Sequence, residues 1–296
     1  MDASPSIPRS VVESTIFLRG EVPESHPSVA ALGEERAGAG VAVAPDRVLT
    51  AHYLVIGAEK LRVAAPDGKS REVERISLDH ETGLALLTLS GSPLRPVRIG
   101  RAREVVPGAP VFLLTYDGPD SRRGATGHVS AVCPFEAFWE FMLDRAIMTT
   151  VINPGLTGGP LFDCEARLLG VVSLGLASVG RYSLAIPADL YLERQEAFEA
   201  PEEHRSLRAW IGFYAQGHSG GVVVAGVVPG GPAEKAGIER GDVVLSVDGS
   251  TVSNLRELYQ RIWRRQPGES LSLQILRDAS IRVVEVAAED RYEFYR

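Results

Sequence analysis

A mainly β chain is what this sequence predicts: a larger β-barrel or sandwich unit, followed by a small α+β module. Three observations carry that expectation. First, between residues 11 and 190 short Val/Ile/Leu-rich runs ("AGVAVAP", "RVLTA", "KLRVAAPDG", "LALLTL", "APVFLLTY", "RLLGVVSLGL", "YSLAIP") are broken by Gly, Pro, Asp and Ser, the punctuation of an antiparallel β-domain. Second, a charged run with a proline, "EAPEEHRSLR", lacks apolar periodicity and reads as a linker. Third, the stretch beyond it alternates strand-like and helix-like patterns, and 296 residues suit two domains at about 150 residues each.

In chain order, "APDGKS" at 65–70 is a hairpin turn, with Asp67-Gly68 supplying the positive backbone dihedrals. Residues 187–199, "PADLYLERQEAFE", carry Leu190, Tyr191 and Arg194 at helical spacing and predict a helix that closes the first domain. In the second unit, "GVVVAGVV" (221–228) and "DVVLSVDG" (242–249) are strands, with a short helix opened by Pro232 and ended at Gly237 between them. Asn254 caps a second helix with Glu257 reaching back; Leu255, Leu258, Tyr259 and Ile262 line one face, and Pro267-Gly268 stops it. "SLSLQILRD" and "SIRVVEVAAE" complete the module.

Composition excludes several classes. A net charge of −7 with scattered Lys and Arg offers no basic stripe, so no nucleic-acid partner is expected. The first twenty residues hold no leader-like apolar run and no segment approaches a membrane span, from which a cytoplasmic location is expected, or a periplasmic one if a leader was removed. Cys133 and Cys164 match no metal motif and read as structural thiols. Asp79, His80 and His52 are the one conceivable metal group, but no ligand spacing supports it; no metal and no cofactor are expected.

The motifs "GVVPGGPAEKAGIERGDVVLSVDGSTV", "DHETGLALLTL" and "VINPGLTGGPLFD" resemble those of the HtrA group of trypsin-like serine proteases, over nearly the whole chain. The resemblance implies a trypsin-like double β-barrel at 10–198, a linker at 199–207 and a PDZ domain at 208–290. Many such relatives form trimers through an N-terminal segment, but "STIFLRGEVPESHPSVAALGEE" shows no recognisable contact, so homo- or hetero-oligomerisation stays open.

Hydrolysis on this fold needs a hydroxyl nucleophile, an imidazole base and an orienting carboxylate. At the family's serine stands Thr157, whose β-methyl restricts χ1 and crowds the attack. At the family's aspartate stands Gly83, with no carboxylate. At the histidine, "VLTAHYLV" aligns without a gap to put Tyr53 in the base position and His52 one residue before it; only a gapped register brings His52 there. A phenol of ordinary pKa near 10 is a poor base at neutral pH. Loss of triad members costs roughly 10⁴ to 10⁶ in turnover. The oxyanion loop, with Gly155 and Thr157, keeps the family pattern, which the fold alone would also require.

On the PDZ side the resemblance places the carboxylate loop at "WIGF", that is Trp210, Ile211, Gly212 and Phe213, with Leu258 and Ile262 walling a groove for an extended or C-terminal peptide. Packed core aromatics are the plainer alternative. Trp263 with Arg264 and Arg265 reads as a solvated basic edge.

The expectation is therefore a pseudoprotease: not an enzyme, but a bacterial binding or scaffolding protein whose PDZ groove recruits a partner's peptide. Two alternatives stand beside it, an atypical endopeptidase with Thr157 as nucleophile and His52 as base, and a structural subunit of a larger assembly.

Overall fold

The computed structural model describes residues 7–152, 158–176, 182–200, 208–218 and 221–296. The chain separates into two units: residues 1–134 with 144–200, and residues 135–143 with 201–296. The architecture is the expected one, mainly β with a trypsin-like domain followed by a PDZ domain.

In unit 1 a short helix α1 (Arg9–Ser14) leads into β1 (Thr15–Glu21). After the one-turn helix α2 (Val29–Leu32) come β2 (Glu35–Ala44) and β3 (Arg47–Ala51). A second one-turn helix, α3 (His52–Val55), precedes β4 (Lys60–Ala64), β5 (Ser70–Arg71), β6 (Val73–Asp79) and β7 (Leu84–Leu89). These strands form one sheet in the order β5-β4-β1-β2-β3-β7-β6. β1 is apolar on both faces because both are covered. Ile16 and Leu18 join Val48, Leu54, Val63 and Leu87 in one cluster, whereas Phe17 turns the other way onto Ala39, Ala64 and Tyr116. The expected turn at 65–70 is present, with Gly68 at φ +77° and the Lys69 amide donating to the Asp67 carboxylate at 3.0 Å.

The second half of unit 1 is a closed barrel of β8 (Pro110–Gly118), β9 (Ser121–Ala137), β10 (Phe141–Thr149), β11 (Pro160–Asp163), β12 (Leu168–Gly175) and β13 (Ser183–Pro187). They run in the order β10-β13-β12-β11-β8-β9. Val111, Leu113, Ile147, Leu161 and Val172 fill its interior. Each such side chain contributes about 1.5–3 kcal/mol by leaving water.

The single helix expected over 187–199 is instead two, α4 (Asp189–Glu193) and α5 (Gln195–Glu199). The break falls at Arg194, at φ −120° and ψ 22°. Its guanidinium is drawn onto Asp79 at 2.6 Å and Glu81 at 3.1 Å, and that pairing outweighs one continued helical hydrogen bond. Residues 201–207, most of the expected linker, lie outside the described residues.

Unit 2 contains β14 (Phe213–His218), β15 (Gly221–Val227), α6 (Pro232–Lys235), β16 (Val243–Val247), β17 (Ser250–Thr251), α7 (Leu255–Ile262), β18 (Ser270–Arg277), β19 (Ser280–Ala287) and α8 (Arg291–Phe294). The sheet order is β14-β15-β16-β18-β19, so β14 is an edge strand. The Asn254 side chain accepts from the Glu257 amide at 2.9 Å, and Glu257 reaches back to the Ser253 amide at 2.9 Å. Asp278 and Ala279, both at positive φ, make the tight two-residue turn between β18 and β19. The tip of the β9–β10 hairpin, residues 135–143, belongs to this unit.

Candidate functional site

Two places in the molecule carry the residues singled out from the sequence. The first lies in unit 1, where β3 ends and α3 begins. Pairing of β3 with β7 sets Ala51 opposite Leu84, and the next rung has the His52 amide donating to the Gly83 carbonyl at 2.9 Å. The His52 Nδ1 also lies 3.1 Å from that carbonyl oxygen. A carbonyl only accepts, so this nitrogen carries the proton. The His80 ring stands edge-on to His52, with centroids 5.3 Å apart.

Tyr53, one residue further, turns elsewhere: its hydroxyl donates to the Ser173 carbonyl of β12. Adjacent residues at the start of a helix diverge, and here one side chain is held by the first sheet and the other by the barrel. Gly83 sits at φ +77°, and its amide donates to the Asp79 carbonyl at 2.8 Å, closing the β6–β7 turn. Asp79 is buried and accepts from Thr82 at 2.9 Å and from Arg194, so its carboxylate is committed to the turn. Gly155 and Thr157 lie outside the described residues. Gly158, which follows them, donates to the Val172 carbonyl at 2.9 Å; a Cβ there would meet the Ala39 carbonyl at 2.2 Å and the Thr50 hydroxyl at 2.4 Å. Only glycine fits, so that end of the loop is packed directly beneath β2 and β3.

One positioning residue escaped the sequence reading. Arg36 on β2 is buried, and its guanidinium donates to the carbonyls of Tyr53 (3.0 Å), Ile56 (2.9 Å) and Gly33 (3.1 Å) and to the Ser28 hydroxyl (2.6 Å). It closes the C-terminal end of α3 and so fixes the segment that carries His52 and Tyr53. Burial pulls it down to about 10. Its only signal in the sequence was an arginine within an otherwise apolar strand.

The second place is in unit 2. Trp210 is bonded in both directions to Glu289, and its ring packs on Phe294 and Tyr295 at 4.6 and 5.7 Å. Gly212 stands at φ +73°, with its missing Cβ 3.0 Å from the Trp210 ring, a position no larger residue suits. The loop thereby turns three successive amides, Ile211, Gly212 and Phe213, toward one carboxylate, that of Glu140. Leu258 and Ile262 are fully buried in the unit's core, together with Ile211, Phe213 and Tyr259. Trp263 stacks on Tyr259 and carries the Arg208 guanidinium 4.7 Å above its ring, while Arg265 pairs with Asp248. This edge is thus partly satisfied within the chain. Glu140 was not foreseen, although "PFEAFWEF" places aromatic and acidic residues where a hairpin tip ordinarily carries turn formers.

Cys133 and Cys164 are free thiols. Among the described residues no cluster of ligating side chains is arranged for a metal, and no helix is long and apolar enough to cross a membrane.

Residues 38–171 match the family described as trypsin-like peptidase domain, and residues 209–287 match the PDZ domain. A protein of Halomonas elongata named probable periplasmic serine endoprotease DegP-like is 29% identical over 273 residues, 86% of this chain and 56% of its own length. One of the same name from Ectopseudomonas mendocina is 29% identical over 269 residues, covering 84% and 55%. The chain thus spans little more than half the length of these curated relatives. Among solved structures, the HtrA-type protease AlgW with tripeptide superposes with a TM-score of 0.57 at 24% identity, over 95% of this chain and 96% of that one. The serine endoprotease from Yersinia pestis gives 0.58 at 22%, over 96% and 99%. At such identity these two show the fold.

Two expectations are overturned here. The expectation that the chain is not an enzyme fails against relatives named as serine endoproteases, and the pseudoprotease and scaffold readings draw no support from them. Its physical weakness was to count triad side chains at fixed positions, whereas an imidazole can also be oriented by a backbone carbonyl. A cytoplasmic location fails against relatives named as periplasmic, since an apolar run sought in the first twenty residues does not decide a compartment.

Proposed function

We propose, from the premise that this chain joins an HtrA-type trypsin-like peptidase domain to a PDZ domain, that it is a slow periplasmic endopeptidase with an altered catalytic set, and that its PDZ groove takes the C-terminal peptide of a partner protein. The observation that carries the catalytic half is the 3.1 Å contact between His52 Nδ1 and the Gly83 carbonyl oxygen. It fixes the tautomer a general base needs, with the proton on Nδ1 and the lone pair on Nε2. In this reading Nε2 takes the Thr157 hydroxyl proton as that oxygen attacks the scissile carbonyl, then returns it to the leaving amine. The Gly83 carbonyl orients the ring without bringing a full negative charge to the imidazolium, which lowers turnover by up to about 10⁴ against a complete triad.

The periplasm is the compartment in which the curated relatives are named. For the PDZ half, the support is the loop at Ile211–Phe213, whose three amides converge on a carboxylate as a terminal one would require. A fluorophosphonate probe applied to the full chain tests the chemistry. Labelling is expected in the wild type and is lost in both Thr157→Ala and His52→Ala. An unlabelled wild type, or labelling that survives in Thr157→Ala, removes the proposal.

A further inference from the structure

The carboxylate in the unit 2 loop is not a ligand's but the chain's own. Glu140 Oε1 accepts from the amides of Gly212 at 2.7 Å and Phe213 at 3.1 Å, and Oε2 from Ile211 at 3.3 Å. The residue is only 3% exposed, although it sits at the tip of a hairpin. A carboxylate is rarely taken out of water without partners, and here the partners are three convergent backbone donors.

The rest of the tip touches the edge strand and the helix that flank the loop. The Phe138 carbonyl accepts from the Ala215 amide of edge strand β14 at 2.6 Å, and the Phe138 ring lies 5.8 Å from that of Tyr214. On the helix side the Tyr259 hydroxyl donates to the Ala137 carbonyl at 2.6 Å, Arg256 of α7 pairs with Glu136 at 2.7 Å, and Arg291 of α8 donates to the Glu140 carbonyl at 3.2 Å. Met142 packs against the apolar cluster that contains Leu258 and Ile262. Anion loop, strand edge and apolar wall are thus all engaged by one segment. To reach the loop Glu140 adopts φ +52°, a left-handed conformation with a cost that only its surroundings offset.

We propose that the β9–β10 tip, Phe135–Leu143, is an internal occupant of the PDZ groove, and that a free peptide with an apolar last residue binds by displacing it, its α-carboxylate taking the place of Glu140. The inference rests on the reading of unit 2 as a peptide-binding module. An occupant on the same chain competes at high effective concentration, so the apparent affinity for a free peptide is the intrinsic one reduced by the fraction of open groove. The groove therefore admits only peptides that outbid the tip, and an occupied groove frees Glu140 and its aromatic neighbours to solvent.

The test uses the full chain and fluorescein-labelled decapeptides ending in Phe, Leu, Val or Met, supplied both as free acids and as C-terminal amides. Two variants open the groove: Glu140→Ala, and a hairpin in which residues 135–143 are replaced by Asn-Gly. The second keeps the experiment decisive if the first disturbs the loop. Free-acid peptides are expected to bind both variants about tenfold or more tightly than the wild type, because the tip no longer competes, and the amides are expected to bind none. Equal free-acid binding by wild type and shortened hairpin overturns internal occupancy while leaving the peptide-binding module standing. No binding by any form removes the peptide-binding reading itself, and the inference with it.

Discussion

The His52–Tyr53 segment of unit 1 and the Ile211–Phe213 loop of unit 2 are both organised by backbone polar groups, but with opposite polarity. In unit 1 the backbone groups that hold these side chains are acceptors: the carbonyls of Gly83 and Ser173 hold His52 and Tyr53, and those of Tyr53, Ile56 and Gly33 hold Arg36. In the unit 2 loop they are donors, the amides of Ile211, Gly212 and Phe213, and what they hold is the carboxyl group of Glu140. An array of acceptors fixes the tautomer and direction of a titratable side chain, which sets chemistry. An array of donors selects a negative charge, which sets ligand class. Both arrays are made by residues that local conformation demands, Gly83 and Gly212 at positive φ, so single substitutions separate the two regions.

The largest effect is expected in the cleft. Arg36→Met leaves buried carbonyls without a donor and costs about 3 kcal/mol or more. The melting transition of unit 1 falls by roughly 10 °C, while peptide binding to unit 2 is unchanged. A thermogram that keeps its midpoint would show that the carbonyls find water instead.

Gly212→Ala is the counterpart in the groove. At φ +73°, with the Trp210 ring 3.0 Å away, it costs about 1–3 kcal/mol in backbone strain and contact. It also turns the Ile211–Phe213 amides out of line, so binding of free-acid peptides is lost. Gly230→Ala is the control, since Gly230 has a similar φ of +71° but open space around it. It is expected to cost about 1 kcal/mol and to leave peptide binding intact. Equal loss of binding in both variants would mean that strain alone, rather than the aimed amides, accounts for the effect.

The polarity difference also predicts a pH response confined to the groove. Burial pushes Glu140 up to about 7, against the pull of its amide donors and of Arg291. The groups facing it from the packed elements are Tyr259 of α7, itself pushed up by burial, Arg291 of α8, and Tyr295, pushed up to about 12, with the Glu136–Arg256 pair beyond. A carboxyl whose docked pKa is raised favours docking fully at low pH and loses that contribution as pH rises through the docked value. From about pH 4.5 to 7 the docked tip therefore weakens. Peptides, with α-carboxyls that ionise below this range, are expected to bind more tightly at pH 7.5 than at pH 5.5 in the wild type, with a smaller change in the shortened-hairpin variant. The same slope in both would locate the titration elsewhere.

The smallest effect is at Tyr53. Tyr53→Phe removes the hydroxyl donated to Ser173 and costs about 1 kcal/mol, a shift of about 2–4 °C in unit 1.

Much of the fold was legible because it follows from local chemistry. The Asn254 cap, the Pro232 and Gly237 boundaries, the Asp67-Gly68 turn and the strands of unit 2 all stand where turn and capping residues set them. The helix broken at Arg194 was not legible, because the partner that breaks it, Asp79, is distant in sequence. The same holds for both sites. Motifs singled out "WIGF" and the His52–Tyr53 pair, but not what each faces: Glu140 is distant in sequence from the loop it meets, and Arg36 on β2 holds the end of a helix that follows the next strand, β3. The inference of inactivity failed for a related reason, since a list of side chains at aligned positions omits the backbone carbonyl that holds His52.

Cleavage of β-casein by paired variants bears most directly on how the cleft works. If the imidazole held on the Gly83 carbonyl is the base, the wild type and Tyr53→Phe yield the same fragments at similar slow rates and His52→Ala yields none. Cleavage retained in His52→Ala, or lost in Tyr53→Phe, would contradict that assignment.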